Sequence, residues 1–228
     1  MLAIIPARAG SKGLKNKNKL VLGSIPLIAH SILAARQSKF ISRIIVSTDS
    51  NEIAEISKKY GAEIPFLRSK KLASDNSMVM DAYFEVIENI DNKENIKNFI
   101  ALLPTSPLRE SQDIDNAIKL FFKKKADTVI SMTKSYYPIE WNHYVNDSKK
   151  VRAVNKKFNA VTNRQNLKPT YIPNGSIYVF KYDTLKKTRQ YYTKKTYAYI
   201  MPFEKSVDID DVFDFELAKK LLKKDNNK

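Results

Sequence analysis

Ile4-Ile5-Pro6-Ala7-Arg8-Ala9-Gly10-Ser11-Lys12-Gly13-Leu14-Lys15-Asn16-Lys17-Asn18-Lys19 is the stretch on which the fold turns. Leu2 to Ile5 is a continuous apolar run, not an alternating one, which predicts a strand buried on both faces. Pro6 closes that strand, because proline has no N–H to give to a sheet ladder. The loop that follows carries two glycines, a serine and cations at positions 8, 12, 15, 17 and 19. Glycine lets backbone amides turn toward an anion, and the cations supply the opposite charge. A strand that runs into such a loop is where open α/β sheets bind nucleotide phosphates. The loop has neither the Gly-Lys-Ser/Thr order of a Walker A motif nor Gly-x-Gly-x-x-Gly. A polyphosphate cradle is the preferred reading over a solvated basic loop.

The rest of the chain repeats the strand-then-helix rhythm. Residues 25–37 read as a helix begun by Pro26. Ile41 to Thr48 reads as a second buried strand, and its end, Asp49-Ser50-Asn51, can cap a helix over 51–60 that stops at Tyr60-Gly61. A short strand over Ile64–Leu67, a helix over 76–90, a strand over Phe99–Leu103, a helix over 113–123 and a strand over Thr128–Met132 follow. This alternation predicts a doubly wound α/β domain with a mostly parallel sheet. It is expected to comprise residues 1–132 and 174–223, with strands at Ser176–Phe180 and Thr196–Ile200, a last helix near 211–223, and a frayed tail at 224–228.

Residues 133–173 break the rhythm. They hold the single Trp, Trp141, several tyrosines, and two short runs around Asn146-Asp147 that suggest a hairpin. The span reads as an inserted antiparallel element. Its aromatics suit either a subunit interface, and hence a homodimer, or a flap folded onto the same chain.

At 228 residues the chain can build one sizeable α/β core, and 43% hydrophobic with 28% charged residues is ordinary for a globular domain. It has no cysteine, so disulfides and thiolate metal sites are excluded. No apolar run is long enough for a signal peptide or a membrane span, so a cytoplasmic protein without a membrane partner is expected. The net charge of +16 raises the question of nucleic acid. The lysines are spread along the chain and form no single arm or helix face, so a small anionic substrate is preferred and no nucleic-acid partner is expected.

Three further stretches display chemistry. In Asp208-Ile209-Asp210, residues two apart in extended chain point to one side, so both carboxylates can face one cation. Mg²⁺ takes one or two carboxylates and completes its shell with water and phosphate oxygens. Helix capping is the alternative, since acids favour the start of the last helix. Leu103-Pro104-Thr105-Ser106-Pro107-Leu108-Arg109 lies at the carboxyl end of a strand, the ligand edge of such sheets, with Ser106 and Arg109 displayed on a proline-stiffened loop. Arg68, with Leu72-Ala73-Ser74-Asp75, offers a guanidinium and hydroxyls to a base or ribose. Arg164 is either a carboxylate clamp or an ordinary surface arginine. His30 and His143 have no acid or nucleophile at a suggestive spacing and read as structural.

In order and spacing, these pieces resemble the cytidylyltransferases that make CMP-sialic acid and related CMP-activated keto-sugars, CMP-legionaminic acid synthetases included. The stretches that carry the likeness are Ile4 to Asn18, Ile44 to Asp49, Leu72 to Asp75, Pro104 to Arg109, Arg164-Gln165, Pro173-Asn174-Gly175-Ser176-Ile177-Tyr178 and Ser206 to Asp210. The resemblance implies a nucleotidyltransferase that joins CMP from CTP to a nonulosonic acid, with Mg²⁺ required and the insertion serving dimerisation. It puts Arg8, Ser11, Lys12, Lys17 and Asn18 around the triphosphate, with Lys12 and Lys17 assisting the transfer. Arg68 and Ser77 fall at the cytidine and Asp208 with Asp210 on the metal. Leu103, Ser106, Arg109, Gln165 and Asn174 are expected at the sugar acid, with Arg164 reaching it from the partner subunit. Pseudaminic acid and Kdo synthetases share the opening loop. A nucleotide- or RNA-binding protein on the same sheet is the non-enzymatic alternative.

The sequence leaves the family pattern at three positions. Leu103 stands where bacterial sialic acid synthetases commonly carry glutamine, Glu140 where a lysine from the partner subunit is expected beside the sugar acid, and Ile172 where the residue is often basic. Each change removes a donor or a positive charge, so an acceptor with fewer hydroxyls than N-acetylneuraminic acid is expected.

Overall fold

Apolar runs buried on both faces set the architecture. In a computed structural model that describes residues 1–10, 13–74, 76–91, 96–155 and 163–225, the chain begins with β1 (Leu2–Pro6). It continues through a two-residue ribbon, β2 (Val21–Leu22) with β3 (Ile25–Pro26), then α1 (Leu27–Arg36), β4 (Arg43–Ser47) and α2 (Asn51–Lys59). Next come α3 (Lys70–Ala73), α4 (Val79–Glu88), β5 (Asn98–Leu102), α5 (Ser111–Lys124) and β6 (Thr128–Lys134). The hairpin of β7 (His143–Val145) and β8 (Val151–Ala153) precedes β9 (Tyr171–Lys181), α6 (Tyr182–Thr188), β10 (Thr196–Ile200) and α7 (Val212–Asp225). Ser11, Lys12, Asp75 and residues 226–228, singled out above, lie outside the described residues.

Six strands form one sheet in the order β10-β6-β9-β5-β1-β4. β1 runs parallel to β4 and β5, and β10 parallel to β6, while β9 is antiparallel to both its neighbours. The mostly parallel sheet expected from the β-α rhythm is therefore present, with one reversed strand. Side chains of β1 alternate between two cores, as the pleat requires. Ala3 and Ile5 pack with α1 and α5 through Ile28, Ile32, Ile114 and Ile118. Leu2 and Ile4 pack with α4 and α6 through Tyr83, Ile87 and Leu185. Burial of each such Ile or Leu contributes about 1.5–3 kcal/mol, which is why the run is continuous in sequence. A third, smaller core joins Leu22, Leu27, Leu108, Val207 and Ile209 to α7.

Two expectations need correction. Ile64 to Leu67 is not a strand. Glu63 alone bridges to Ile45, and the chain then bends away so that the Arg68 amide reaches the Thr48 carbonyl at 2.7 Å. That bend turns the Arg68 side chain into the site. β9 is also twice the length expected, since its first residues pair with the end of β6 from Tyr171↔Lys134 onward. The expected hairpin is present with Tyr144 opposite Arg152.

Candidate active site

The parallel strands β1, β4 and β5 all end on one edge of the sheet, and their loops converge there around a cavity of about 380 Å³. Arg8, Gly10, Gly13, Lys17 and Asn18 from the opening loop line one side. Arg68, Leu72, Ser77 and Val79 line another, and Leu103, Pro104, Thr105 and Asp210 close it.

The opening loop is fastened at several points. Asn18 donates from Nδ2 to the Arg8 carbonyl at 3.1 Å. The buried Lys17 donates through Nζ to the Ile209 carbonyl at 2.5 Å and to Asp210 Oδ1 at 3.0 Å. Gly13 allows the same approach from the backbone: a Cβ there would collide with the Asp210 carbonyl oxygen. The loop and the segment carrying Ile209 and Asp210 are thus held together, with Lys17 as the charged link.

Arg68 is buried, donating from Nε to Ser47 Oγ at 2.9 Å and from Nη2 to the Ser47 carbonyl at 2.6 Å. Burial lowers its pKa, the charges of Asp49 and Glu85 oppose that, and Arg8 adds to it. An arginine held this way, with its guanidinium at a cavity wall, is a fixed donor for an acceptor-rich ligand edge. The Ser77 hydroxyl lies 2.7 Å from the Leu72 carbonyl and 2.8 Å from that of Ser74.

Asp208 and Asp210 are exposed while Val207 and Ile209 are buried, the period-two pattern expected of extended chain. Capping of α7 falls to other residues. Asp211 Oδ1 accepts from the Asp214 amide at 3.0 Å, and Asp214 Oδ2 accepts from the amides of Asp210 and Asp211. The Asp208 carboxyl, solvent-reaching at its edge but hemmed in by protein, has a raised pKa. Desolvation is the main cause, opposed by a hydrogen bond from Thr105 and then reinforced by Asp210. Two adjacent carboxylates on one face, one of them reluctant to ionise, suit a divalent cation: the cation relieves their repulsion, and two carboxylates are a sufficient protein share for Mg²⁺. Among the described residues no group of three or more His, Cys, Asp or Glu side chains gathers for a metal.

A scan of family models matches residues 2–227 to the cytidylyltransferase model. The chain belongs to the cytidylyltransferase family. It is 37% identical over 99% of its length to an N-acylneuraminate cytidylyltransferase of Escherichia coli O18:K1:H7, and spans 53% of that longer protein. A CMP-N,N'-diacetyllegionaminic acid synthase of Legionella pneumophila is 35% identical, with 97% of this chain and 96% of that one aligned. Among solved structures, a CMP-2-keto-3-deoxy-manno-octonic acid synthetase complexed with CTP superposes with a TM-score of 0.71 over 98% of each chain at 14% identity. A 4-diphosphocytidyl-2C-methyl-D-erythritol synthase from Anaerococcus prevotii gives 0.67 at 16% identity, over 97% of this chain and 96% of that one. Those two likenesses establish the shared cytidylyltransferase fold.

In this cytidylyltransferase the described residues singled out from sequence fall into three groups, with Asp208 apart from them: it does not line the cavity but bonds Thr105, which does. Arg8, Lys17, Asn18, Arg68, Ser77, Leu103 and Asp210 line the cavity. Ser106, Arg109 and Asn174 lie buried behind it. Arg109 was expected on the substrate, but its guanidinium is turned inward, donating to the carbonyls of Leu103 and Ser106 and to Ser31 Oγ. Burial pushes its pKa down to about 9, against the pull of Asp208 and Asp113, which still leaves it charged at neutral pH. It is a staple for the Leu103–Ser106 turn. Asn174 Oδ1 accepts from Ser131 Oγ at 2.6 Å, and its Nδ2 donates to Ser206 Oγ at 2.9 Å. Its carbonyl accepts from Ser106 Oγ at 3.1 Å. These bonds secure the irregularity where β9 slips against β6 between Ile130 and Met132.

Arg164 and Gln165 form the third group. They sit at the foot of the insertion beside Lys134, Pro138 and Lys168, lining a separate cavity. The Arg164 guanidinium rests 4.8 Å from the centre of the Tyr136 ring. Within one chain, neither residue lines the cavity at the sheet edge. The capping alternative read at the start of the last helix falls to Asp211, which accepts the Asp214 amide. Sequence reasoning gave no place in the site to the Asp49 carboxylate, which it read as part of a helix cap, or to the Thr105 bond to Asp208.

Proposed function

We propose that the chain transfers CMP from CTP to the anomeric hydroxyl of a sialic acid-like nonulosonic acid and releases pyrophosphate. The observation that carries this reading is the convergence of Arg8, Lys17, Asn18, Arg68 and Asp210 on one cavity at the carboxyl edge of parallel strands. Family membership and the full-length likeness to the Legionella pneumophila protein support it.

In the proposed reaction the anomeric oxygen attacks the α-phosphorus, the bond to the β,γ-pyrophosphate breaks, pyrophosphate leaves, and the hydroxyl proton passes to solvent water. Arg8 and Lys17 face the triphosphate and offset its charge, which grows on the leaving oxygens as the bond breaks. Arg68, immobilised on Ser47, offers fixed donors to the base, with Ser77 beside it. Catalysis rests on position and charge neutralisation, and no covalent intermediate is required. Asp208 and Asp210 are proposed to hold Mg²⁺, which when bound neutralises phosphate charge. Thr105, hydrogen-bonded to Asp208, orients that carboxylate.

The enzyme is proposed to act as a homodimer. Tyr136, Tyr137, Trp141, Tyr144 and Val151 of the inserted element are exposed, and such a patch is the mark of an interface. Arg164, outside the chain's own cavity, would then serve the site of the partner subunit. Among the described residues no helix is long and apolar enough to cross a membrane. The deciding experiment is pyrophosphate release over a matrix of four nucleoside triphosphates and several keto-sugar acids. Release with CTP and a nonulosonic acid alone is expected. Release with another nucleotide, or with none, would overturn the proposal.

A further inference from the structure

Asp49 follows the end of β4, and its carboxylate reaches across to the opening loop, where Oδ1 accepts the Ala9 amide at 2.8 Å. Ala9 lies between Arg8 and Gly10, and both of these line the cavity. On the far side of the same turn, Asn18 holds the Arg8 carbonyl. The turn is therefore gripped at two consecutive residues by side chains from two different places in the fold. Asp49 itself stands on a stiff platform. The Thr48 carbonyl is taken by the Arg68 amide, Thr48 Oγ1 accepts from the Ser50 amide at 3.2 Å, and Ser50 Oγ caps α2 by accepting from Ile53 at 3.3 Å.

A carboxylate beside a triphosphate site repels the ligand, and although the charge of Asp49 also supports the buried Arg68, its direct hydrogen bond goes to the loop. From the bond it makes, we infer that Asp49 is a positioning residue for nucleotide binding: it latches the Arg8–Gly10 turn in the shape that receives the phosphates. The inference rests on the proposed use of CTP. Its energetic logic is preorganisation, in which the turn is ordered by the protein before the ligand arrives.

The latch and the bystander predict effects of opposite sign. Removing a bystander carboxylate lessens repulsion and tightens CTP binding. Removing a latch loosens the turn and weakens it. Asp49→Ala is expected to weaken CTP about tenfold in a calorimetric titration without acceptor, matching the loss of one charge-assisted hydrogen bond. In steady state its KM for CTP rises while the KM for the sugar acid stays within about twofold, the rise being the same lost bond. Asp49→Asn keeps an oxygen acceptor and loses the charge, so its CTP affinity should equal or exceed that of the parent. Glu52→Ala serves as the charge control, since Glu52 pairs with Lys19 of the same loop at 2.6 Å without bonding its backbone. It should not weaken CTP.

Unchanged or tighter binding by Asp49→Ala overturns the latch. So does a loss that Asp49→Asn shares in full, or one that appears only as a lower melting temperature and fewer active molecules. If the parent protein itself binds no CTP, the proposed function fails and not the latch alone, so the two failures are distinct.

Discussion

Gly175 and Asp208 touch through a space that no side chain can enter: a Cβ built on Gly175 would lie 2.5 Å from Asp208 Oδ2 and 3.2 Å from Ser106 Oγ. Gly175 also has φ +72°, a left-handed conformation that other residues adopt at a cost of about 1–2 kcal/mol. The left-handed turn at Gly175 therefore lets the β9 backbone lie close against the Asp208 carboxylate. Gly175→Ala is expected to lower the melting temperature by several degrees, about 2–4 °C for each kcal/mol lost. It should reduce turnover more than stability explains, because Asp208 must move. Normal kcat in a folded Gly175→Ala protein would show that the contact is incidental.

The raised pKa of Asp208 says that its charge is held at a cost to the fold. Asp208→Asn should therefore melt at or above the parent temperature while losing Mg²⁺-dependent turnover. Asp210→Ala should lose turnover as well, and it also removes the carboxylate paired with Lys17, leaving its ammonium only the Ile209 carbonyl. Activity retained in both variants would mean that the pair holds no metal.

How much of this was written in the sequence depends on range. The β1 strand, the alternating exposure of Asp208 and Asp210, and the helices over 27–36 and 111–124 follow from local periodicity, which the structure keeps. The inward turn of Arg109 was not legible, because its acceptors are mostly carbonyls and a carbonyl leaves no mark in sequence. Ser31, its hydroxyl partner, lies 78 positions away. Asp49 was read only as part of a helix cap for a similar reason: its partner is a backbone amide 40 residues distant. The false strand at Ile64–Leu67 has the right composition, but it lies where the chain must bend to deliver Arg68.

His30 gives a test in pH. Its Nε2 lies 3.0 Å from the Leu22 carbonyl, which only accepts, so that nitrogen carries the proton. Burial lowers its pKa from the ordinary 6.5, the hydrogen bond to Leu22 opposes this, and the charge of Arg109 adds to it. As pH falls from 6.5 the unfolded imidazole takes up a proton before the folded one does. The parent should then lose stability relative to His30→Gln, with a slope of at most about 1.4 kcal/mol per pH unit. Parallel stability curves for the two proteins between pH 7.5 and 5 would refute the assignment.

Subunit sharing can be read by complementation. Asp208→Ala leaves an intact Arg164, and Arg164→Ala leaves an intact acidic pair. If each site draws Arg164 from the neighbouring subunit, a mixed dimer contains one complete site. Mixing the two inactive proteins, with time for exchange, should then restore up to about a quarter of parent activity: statistical mixing makes half of the dimers mixed, each with half of its sites whole. A monomer by light scattering at micromolar concentration, or no recovery despite demonstrated exchange, would rule the shared site out.

The acceptor is the last question, and within a single chain the departure that bears on it is Leu103. Of the three departures from the family pattern, Leu103 alone lines the cavity at the sheet edge. Ile172 is exposed on β9 opposite Thr133, and Glu140 lies in the short helical turn Ile139–Trp141 at the foot of the insertion. Arg109 donates to the Leu103 carbonyl, so the backbone there is fixed and the side chain's chemistry decides what it meets. A leucine offers no hydrogen bond to a sugar hydroxyl, and an unpaired hydroxyl forced against it costs about 1–3 kcal/mol. It favours an acceptor in which that hydroxyl is missing, such as a deoxygenated di-acylamino sugar of the legionaminic type. With CTP fixed, kcat/KM should be higher for legionaminic than for N-acetylneuraminic acid. Leu103→Gln should narrow or reverse the ratio while leaving the KM for CTP in place. A parent enzyme that prefers N-acetylneuraminic acid, or a ratio that Leu103→Gln leaves untouched, would show that Leu103 does not face the distinguishing hydroxyls.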